Sequence, residues 1–183
     1  NAIGTVNVLE ALRYLNKPVI AVLITSDKVY QNVEQIWGYR EDDRLGGTDP
    51  YSASKGMAEL AIRSYVETAF KGNDCPIRIG IGRAGNVIGG GDWAENRIVP
   101  DCVRAWTEDK VAVVRKPTAT RPWQHVLEPL AGYLKLAMML SKDSTLHGQA
   151  FNFGPSLQHN HTVGELVDAL SKYWPGARWT DDI

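Results

Sequence analysis

The sequence predicts an α/β fold built on a parallel, doubly wound sheet. Strand-length apolar runs alternate with amphipathic segments of helical period along nearly the whole chain. The polar and glycine-bearing motifs fall just after the strand ends, where sheets of this kind hold their ligands.

From Asn1 to about Leu15, Thr5, Val8, Leu9, Leu12 and Leu15 recur at helical spacing, and the helix ends before Pro18. Val19–Ile24 reads VIAVLI, a continuous apolar run expected of a central parallel strand. Residues 31–50 are polar and contain glycine, which predicts a long loop. A second helix is expected over Ser52–Phe70, with Met57, Leu60, Ala61, Ser64 and Tyr65 in register. Ile77–Gly82 is the next strand, followed by the loop RAGNVIGGGDWAEN and a helix holding Ile98, Cys102, Val103 and Trp106. A short strand at Val111–Val114 leads through PTATRPW to a helix from about Leu127 to Leu140. Ala150–Gly154 reads as a strand ending in a turn. Thr162 and Glu165 have the spacing of a capping box opening a last helix, which carries Leu166, Val167 and Leu170. No closing element is expected at WTDDI. The chain opens at Asn1 without a methionine, inside a helix, and is expected to be a piece of a longer protein.

Composition narrows the function classes. The 183 residues are 44% hydrophobic and 22% charged, enough for one core. A net charge of -1 gives no electrostatic case for nucleic acid or an anionic membrane. No apolar run approaches the roughly 20 residues of a membrane span. Cys75 and Cys102 have neither metal-site nor disulfide spacing, so they read as idle thiols of a reducing compartment, and a cytoplasmic protein is expected. No histidine stands in a metal-ligand arrangement, so no metal is expected.

Chemistry concentrates in two segments. In YSASK, Tyr51 and Lys55 stand four apart on one helix face. An ammonium beside a phenol favours the phenolate, which is a base able to take a proton from a sugar or alcohol hydroxyl. Thr25-Ser26-Asp27-Lys28 follows the strand Val19–Ile24, and is either a polar turn or part of the same site. Asn86, just past a strand end, has an amide suited to a phosphate or sugar oxygen, and Arg97 starts a helix. His125 either meets phosphate or ribose or is packed. Gly89–Gly91 is a turn, and Trp93 and Trp123 either wall a pocket or fill a core.

Tyr51-x-x-x-Lys55 resembles the active-site pair of the short-chain dehydrogenase/reductase superfamily. Together with Thr25–Lys28, NAIGTVNVLEA at the start and RAGNVIGGGD after the strand Ile77–Gly82, the chain resembles the extended, nucleotide-sugar branch over almost its whole length. Lys28, where the dTDP-sugar enzymes have Glu, is similar to the CDP-glucose 4,6-dehydratases, as are ENRIVPD (Glu95–Asp101) and RPWQHVLEPL (Arg121–Leu130). The resemblance implies the C-terminal part of a Rossmann-like NAD-binding domain over residues 1–90. It implies a mainly nucleotide-sugar-binding region over 91–183, with 112–153 partly returning to the Rossmann sheet.

It also implies roles. Tyr51 would be the base at the C4 hydroxyl, Lys55 would hold the nicotinamide ribose, Ser26 would bond the C4 oxygen and Asp27 would protonate the departing C6 hydroxyl. Lys28 would take the C5 proton, for which it must be neutral. An unperturbed lysine costs about 4.6 kcal/mol to neutralise at pH 7, which burial and a cationic nicotinamide would reduce. Arg121 would clamp the diphosphate. The implied cofactor is NAD, and the implied product a 4-dehydro-6-deoxy sugar nucleotide. An epimerase or decarboxylase of the same branch, or a non-catalytic dinucleotide-binding relative, are the competing readings. Such a fold should carry a Gly-rich turn after its first strand and an acidic residue about 20 positions on. Here Val19–Ile24 is followed by Thr25–Lys28 instead, so the chain alone is expected to show little or no activity, and NAD against NADP is left open. Helices 1–15 and 52–70 pair in family members into a homodimer, and their apolar residues Ala11, Leu12, Leu15, Ala58, Ala61, Ile62 and Tyr65 need either that partner or further parts of the protein.

Overall fold

The structure, a computed structural model, describes residues 1–72 and 74–182. In chain order the elements are α1 (Ala2–Arg13), β1 (Val19–Ile24), α2 (Pro50–Glu67), β2 (Ile77–Ala84), β3 (Val87–Ile88), α3 (Ile98–Thr107), β4 (Ala112–Val114), β5 (Thr120–Arg121), β6 (Gln124–His125), α4 (Leu127–Leu140), β7 (Ala150–Phe153), β8 (His161–Thr162), α5 (Val163–Ser171) and β9 (Trp179–Asp181). They form two compact units. The first comprises Asn1–Gly85 and Leu127–Phe153, the second Asn86–Val126 and the residues from Gly154 on. The returning segment is thus Leu127–Phe153, narrower than the expected 112–153, because β4 pairs with β9 and β6 with β3 inside the second unit.

In the first unit β1, β2 and β7 form a parallel sheet in that order, with Val19 opposite Ile77 and Ile81 opposite Ala150. The two-residue period of β2 sorts its side chains between faces. Ile77, Ile79 and Ile81 join Leu9 and Leu12 of α1 and Ile62 of α2 in one buried cluster. The opposite face presents Gly80 and Gly82, where an added Cβ would lie 2.7 Å from Leu140 and 2.7 Å from Tyr133 of α4. Glycine at these positions is what lets α4 approach the sheet. Helices on both faces make the sheet doubly wound.

VIAVLI is a strand over the expected residues, paired in parallel with β2. One expectation needs correction here. α2 buries Ser52, Gly56, Ala58, Glu59 and Ile62, whereas Met57 and Leu60, taken as core-facing, are exposed. The buried stripe holds a charged and three small residues; Glu59 has Arg83 as its partner there and Gly56 lies beside the Val29 carbonyl. Hydropathy does not register such positions. The apolar residues Leu12, Ala58 and Ile62 are likewise consumed inside this unit, with Leu15, Ala61 and Tyr65 packed against the cluster. Ala11, by contrast, is exposed, and so are the larger apolar residues Ile3, Val8, Met57 and Leu60 of the two helices.

The second unit packs α3, β4 and α5 around Cys102, Trp106, Ala112, Val114 and Val167. Trp106 Nε1 donates to the Arg178 carbonyl at 2.9 Å, which satisfies the indole in the core. Thr162 and Glu165 form the capping box of α5. The WTDDI segment does carry an element, since β9 pairs in parallel with β4. No helix among the described residues is long and apolar enough to cross a membrane.

Candidate active site

The carboxyl end of β1 starts the first group of polar residues. Thr25 N still donates to Gly82 O at 2.8 Å, extending the ladder one residue, and the chain then tightens into a short turn over Asp27–Val29. Ser26, buried and extended, caps that turn: its Oγ accepts from Lys28 N at 3.2 Å and donates to Asp27 Oδ1 at 2.9 Å. Lys28 Nζ stands 3.6 Å from the same Asp27 oxygen. The Lys28 side chain is 45% exposed.

Tyr51 enters from α2, whose start is fixed by sequence chemistry. Asp49 Oδ1 accepts from Tyr51 N and Ser52 N, and Pro50 occupies the first helical position, where its missing N–H costs nothing. Tyr51 is 49% exposed. One turn later Lys55 Nζ donates to Ile24 O at 3.3 Å, so its ammonium is engaged at the end of β1. The structure thereby brings Ser26, Asp27 and Lys28 into one turn and ties that turn's strand to the helix bearing Tyr51 and Lys55.

Residues in the first unit also set the limit of the cofactor pattern. Gly80-x-Gly82-x-x-Gly85 has the spacing of a dinucleotide fingerprint. Gly80 and Gly82 lie within β2 against α4, however, and not in a strand-to-helix turn, so this spacing makes no phosphate site. The half-exposed Tyr51 and the Lys55 ammonium stand at a strand's carboxyl end, where sheets of this kind hold their ligands.

In the second unit a cavity of about 670 Å³ is lined by Asn86, Trp93, Arg97, Arg121 and Trp123, together with Gly89–Gly91. Asn86 Oδ1 and Trp123 Nε1 are buried without a hydrogen-bond partner, an acceptor and a donor left for an occupant. Arg97 lies 3.7 Å from Asp92, and Arg121 donates to its neighbour's carbonyl, Thr120 O, at 2.7 Å. His125 is exposed on β6 opposite Ile88 and does not line the cavity. Arg115 and Lys116 do line it, and were missed although they directly follow the strand end of β4. Cys102 lines it too; burial, with Asp101 beside it, pushes its thiol up to about 11, which makes it an unreactive wall. Among the described residues no three His, Cys, Asp or Glu side chains gather as metal ligands.

Residues 1–154 match the model of the NAD dependent epimerase/dehydratase family. The CDP-glucose 4,6-dehydratase of Salmonella typhimurium is 42% identical over 187 residues, taking in 100% of this chain and 52% of that protein. UDP-glucuronic acid 4-epimerase from Bacillus cereus, solved with UDP-glucuronic acid and NAD, matches at a TM-score of 0.80 and 20% identity, over 98% of this chain and 53% of that one. dTDP-glucose 4,6-dehydratase from Bacillus anthracis, solved with NAD, matches at 0.73 and 22%, over 100% of this chain and 56% of that one. The fold is therefore that of the Rossmann-type sugar epimerases and dehydratases. The chain belongs to the NAD dependent epimerase/dehydratase family, within the extended short-chain dehydrogenase/reductases that its motifs resemble. It spans about half the length of the curated relatives it matches.

Proposed function

We propose that the protein containing this chain is a nucleotide-sugar 4,6-dehydratase that converts CDP-glucose to CDP-4-dehydro-6-deoxy-D-glucose in the cytoplasm. The observation that carries the reading is the Ser26–Asp27–Lys28 turn at the end of β1, held by Lys55 to the helix of Tyr51. The identity to the Salmonella enzyme supports the cytidine sugar. The first unit would bind NAD and the second the nucleotide sugar, whose diphosphate suits the cations Arg97, Arg115, Lys116 and Arg121 of the cavity. Asn86 would accept from a sugar hydroxyl at its unpartnered Oδ1 and donate to a sugar or phosphate oxygen through its Nδ2. His125 has no place in that cavity and is assigned no role there.

NAD, when bound, supplies the acceptor for hydride from C4 and its donor back to C6. The remaining chemistry belongs to side chains. Tyr51 takes the C4 hydroxyl proton while the Ser26 hydroxyl bonds the C4 oxygen. Lys28 then removes the proton at C5, made acidic by the neighbouring carbonyl, and Asp27 gives its proton to the C6 hydroxyl, which leaves as water. Lys28 returns a proton to C5 when C6 is reduced. The net loss is one water.

The 3.6 Å approach of Lys28 to Asp27 bears on how this pair is prepared. Neutral lysine with protonated aspartic acid, and ammonium with carboxylate, hold the same number of protons. The catalytic pair is the ion pair with one proton moved across. Removing water around the half-exposed pair favours that neutral arrangement, because ions lose more than neutral groups on desolvation. The cost of a neutral lysine is thus met jointly with that of a protonated aspartate.

The test is to incubate the full-length protein and NAD with CDP-, UDP- and dTDP-glucose and to follow 4-keto sugar. Formation from CDP-glucose alone is the expected result. A 4-epimer without loss of C6 oxygen would assign an epimerase, and no reaction with any donor would leave a binding relative.

A further inference from the structure

Behind the Ser26–Lys28 turn lies a charged pair with almost no solvent. Arg83 of β2 is 1% exposed and Glu59 of α2 is 2% exposed. Arg83 grips the carboxylate with two arms, Nε to Oε1 at 2.8 Å and the second through its Nη2 to Oε2. Its Nη1 donates to the Tyr30 hydroxyl at 2.7 Å and to the Glu41 carbonyl at 3.0 Å, and its guanidinium lies 4.8 Å from the centre of the Tyr30 ring. Glu59 Oε1 also accepts from Thr25 Oγ1 at 2.6 Å. The Tyr30 hydroxyl passes the chain on to Asn152 Oδ1 at 2.6 Å.

Burying an isolated charge is costly, and a buried pair with full hydrogen bonding is at best roughly neutral for stability against an apolar pair of similar volume. What it supplies is fixed geometry, since a two-armed guanidinium–carboxylate contact admits one orientation. The two residues this pair fixes are Thr25 and Tyr30. They flank Ser26, Asp27 and Lys28, one on either side. Glu59 stands one helical turn beyond Lys55 on α2, so the same helix face holds Ile24 through Lys55 and Thr25 through Glu59.

We infer that Glu59 and Arg83 are positioning residues: they clamp both ends of the Ser26–Asp27–Lys28 turn against α2 and thereby set its distance from Tyr51. This rests on the dehydratase reading of that turn. Neither residue touches a reacting atom. Each acts through Thr25 or Tyr30.

The experiment uses the full-length protein with NAD and CDP-glucose and reads kcat, KM, NAD affinity and the thermal midpoint. In Glu59→Leu/Arg83→Met the charges leave together, so no unpaired charge is buried. A misplacement of the turn by about 1 Å should lower kcat about 100-fold, with KM and NAD affinity close to wild type. Thr25→Val/Tyr30→Phe leaves the ion pair intact and cuts only its links to the turn. It should fold even if the first variant does not, and should lower kcat about tenfold or more at unchanged KM. Arg83→Lys, which keeps the charge and loses the fork, should fall between wild type and the apolar variant. A kcat within about twofold of wild type in either folded double variant overturns the inference. Tyr51→Phe run in parallel separates the two levels: if it too retains activity, the reading of the site is at fault, and if it alone is inactive, only the positioning role falls.

Discussion

Lys55 Nζ donates to the carbonyl oxygen of Ile24 at 3.3 Å and so joins the second turn of α2 to the last residue of β1. The residues on either side of this link are those proposed to move protons, Tyr51 one turn before Lys55 and Ser26 two residues after Ile24. The long loop 31–49 connects the two elements. Its own tie to the first unit is separate, through Gly46 N to Val29 O and the Glu41 carbonyl on Arg83.

Tyr51→Phe in the full-length protein should abolish hydride transfer and leave the fold intact. Half of the side chain is exposed and its N–H, not its hydroxyl, holds the helix start, so packing and capping persist. The loss should be about 10²–10⁴-fold, the range for a general base. Single-turnover absorbance of reduced nicotinamide and a thermal melt check the two halves of the expectation.

Lys28→Ala should still permit oxidation at C4 and should stall elimination, because only the later step needs a base at C5. Exchange of the C5 hydrogen with deuterated solvent reads that step alone. Wild-type exchange in the variant would show another group to be the base.

His147 makes stability depend on pH. Its Nδ1 accepts from Ile79 N at 3.0 Å, at the start of β2, and its Nε2 lies 3.2 Å from the Phe70 carbonyl. Burial, and Arg78 nearby, hold the ring below the ordinary value of 6.5 against the opposing pull of the Phe70 carbonyl. The unfolded chain therefore binds the extra proton first. The stability this ring contributes is fully present above about pH 6.5 and is lost as pH falls below it through the lowered folded value. Urea midpoints of wild type and His147→Gln, measured from about pH 7.5 to pH 5, should converge toward the acid end. A gap independent of pH would contradict the assignment.

The exposed apolar residues Ile3 and Val8 of α1 and Met57 and Leu60 of α2 should meet a second copy in a two-fold, self-complementary contact. Sedimentation of the full-length protein should give a dimer at micromolar concentration, and Met57→Asp/Leu60→Asp a monomer. A monomeric wild type would mean that other parts of the protein cover these residues.

The sequence showed most where the physics is local. The bounds of β1 and α4 and the Thr162–Glu165 capping box follow from runs, periods and spacings a few residues long, and the structure has them at those positions. It showed least where a residue's meaning depends on a partner far along the chain. Glu59 reads as a solvated helix residue until Arg83, 24 positions later, lies against it. The exposed stripe of α2 is of the same kind, being set by which elements pack together. Asn86 was legible as a polar group beyond a strand end, but that its Oδ1 and the Trp123 Nε1–H lack partners depends on burial beside a cavity assembled from five separate stretches.

The central claim is that C4 oxidation, loss of water across C5 and C6 and reduction at C6 occur on one sugar without release. The most direct measurement incubates the full-length protein and NAD with CDP-glucose deuterated at C4 and locates the label in the product by nuclear magnetic resonance. The account predicts deuterium at C6 of a 4-dehydro-6-deoxy sugar, transferred within each molecule. Deuterium found at C4 of an epimer, with the C6 hydroxyl retained, would contradict it.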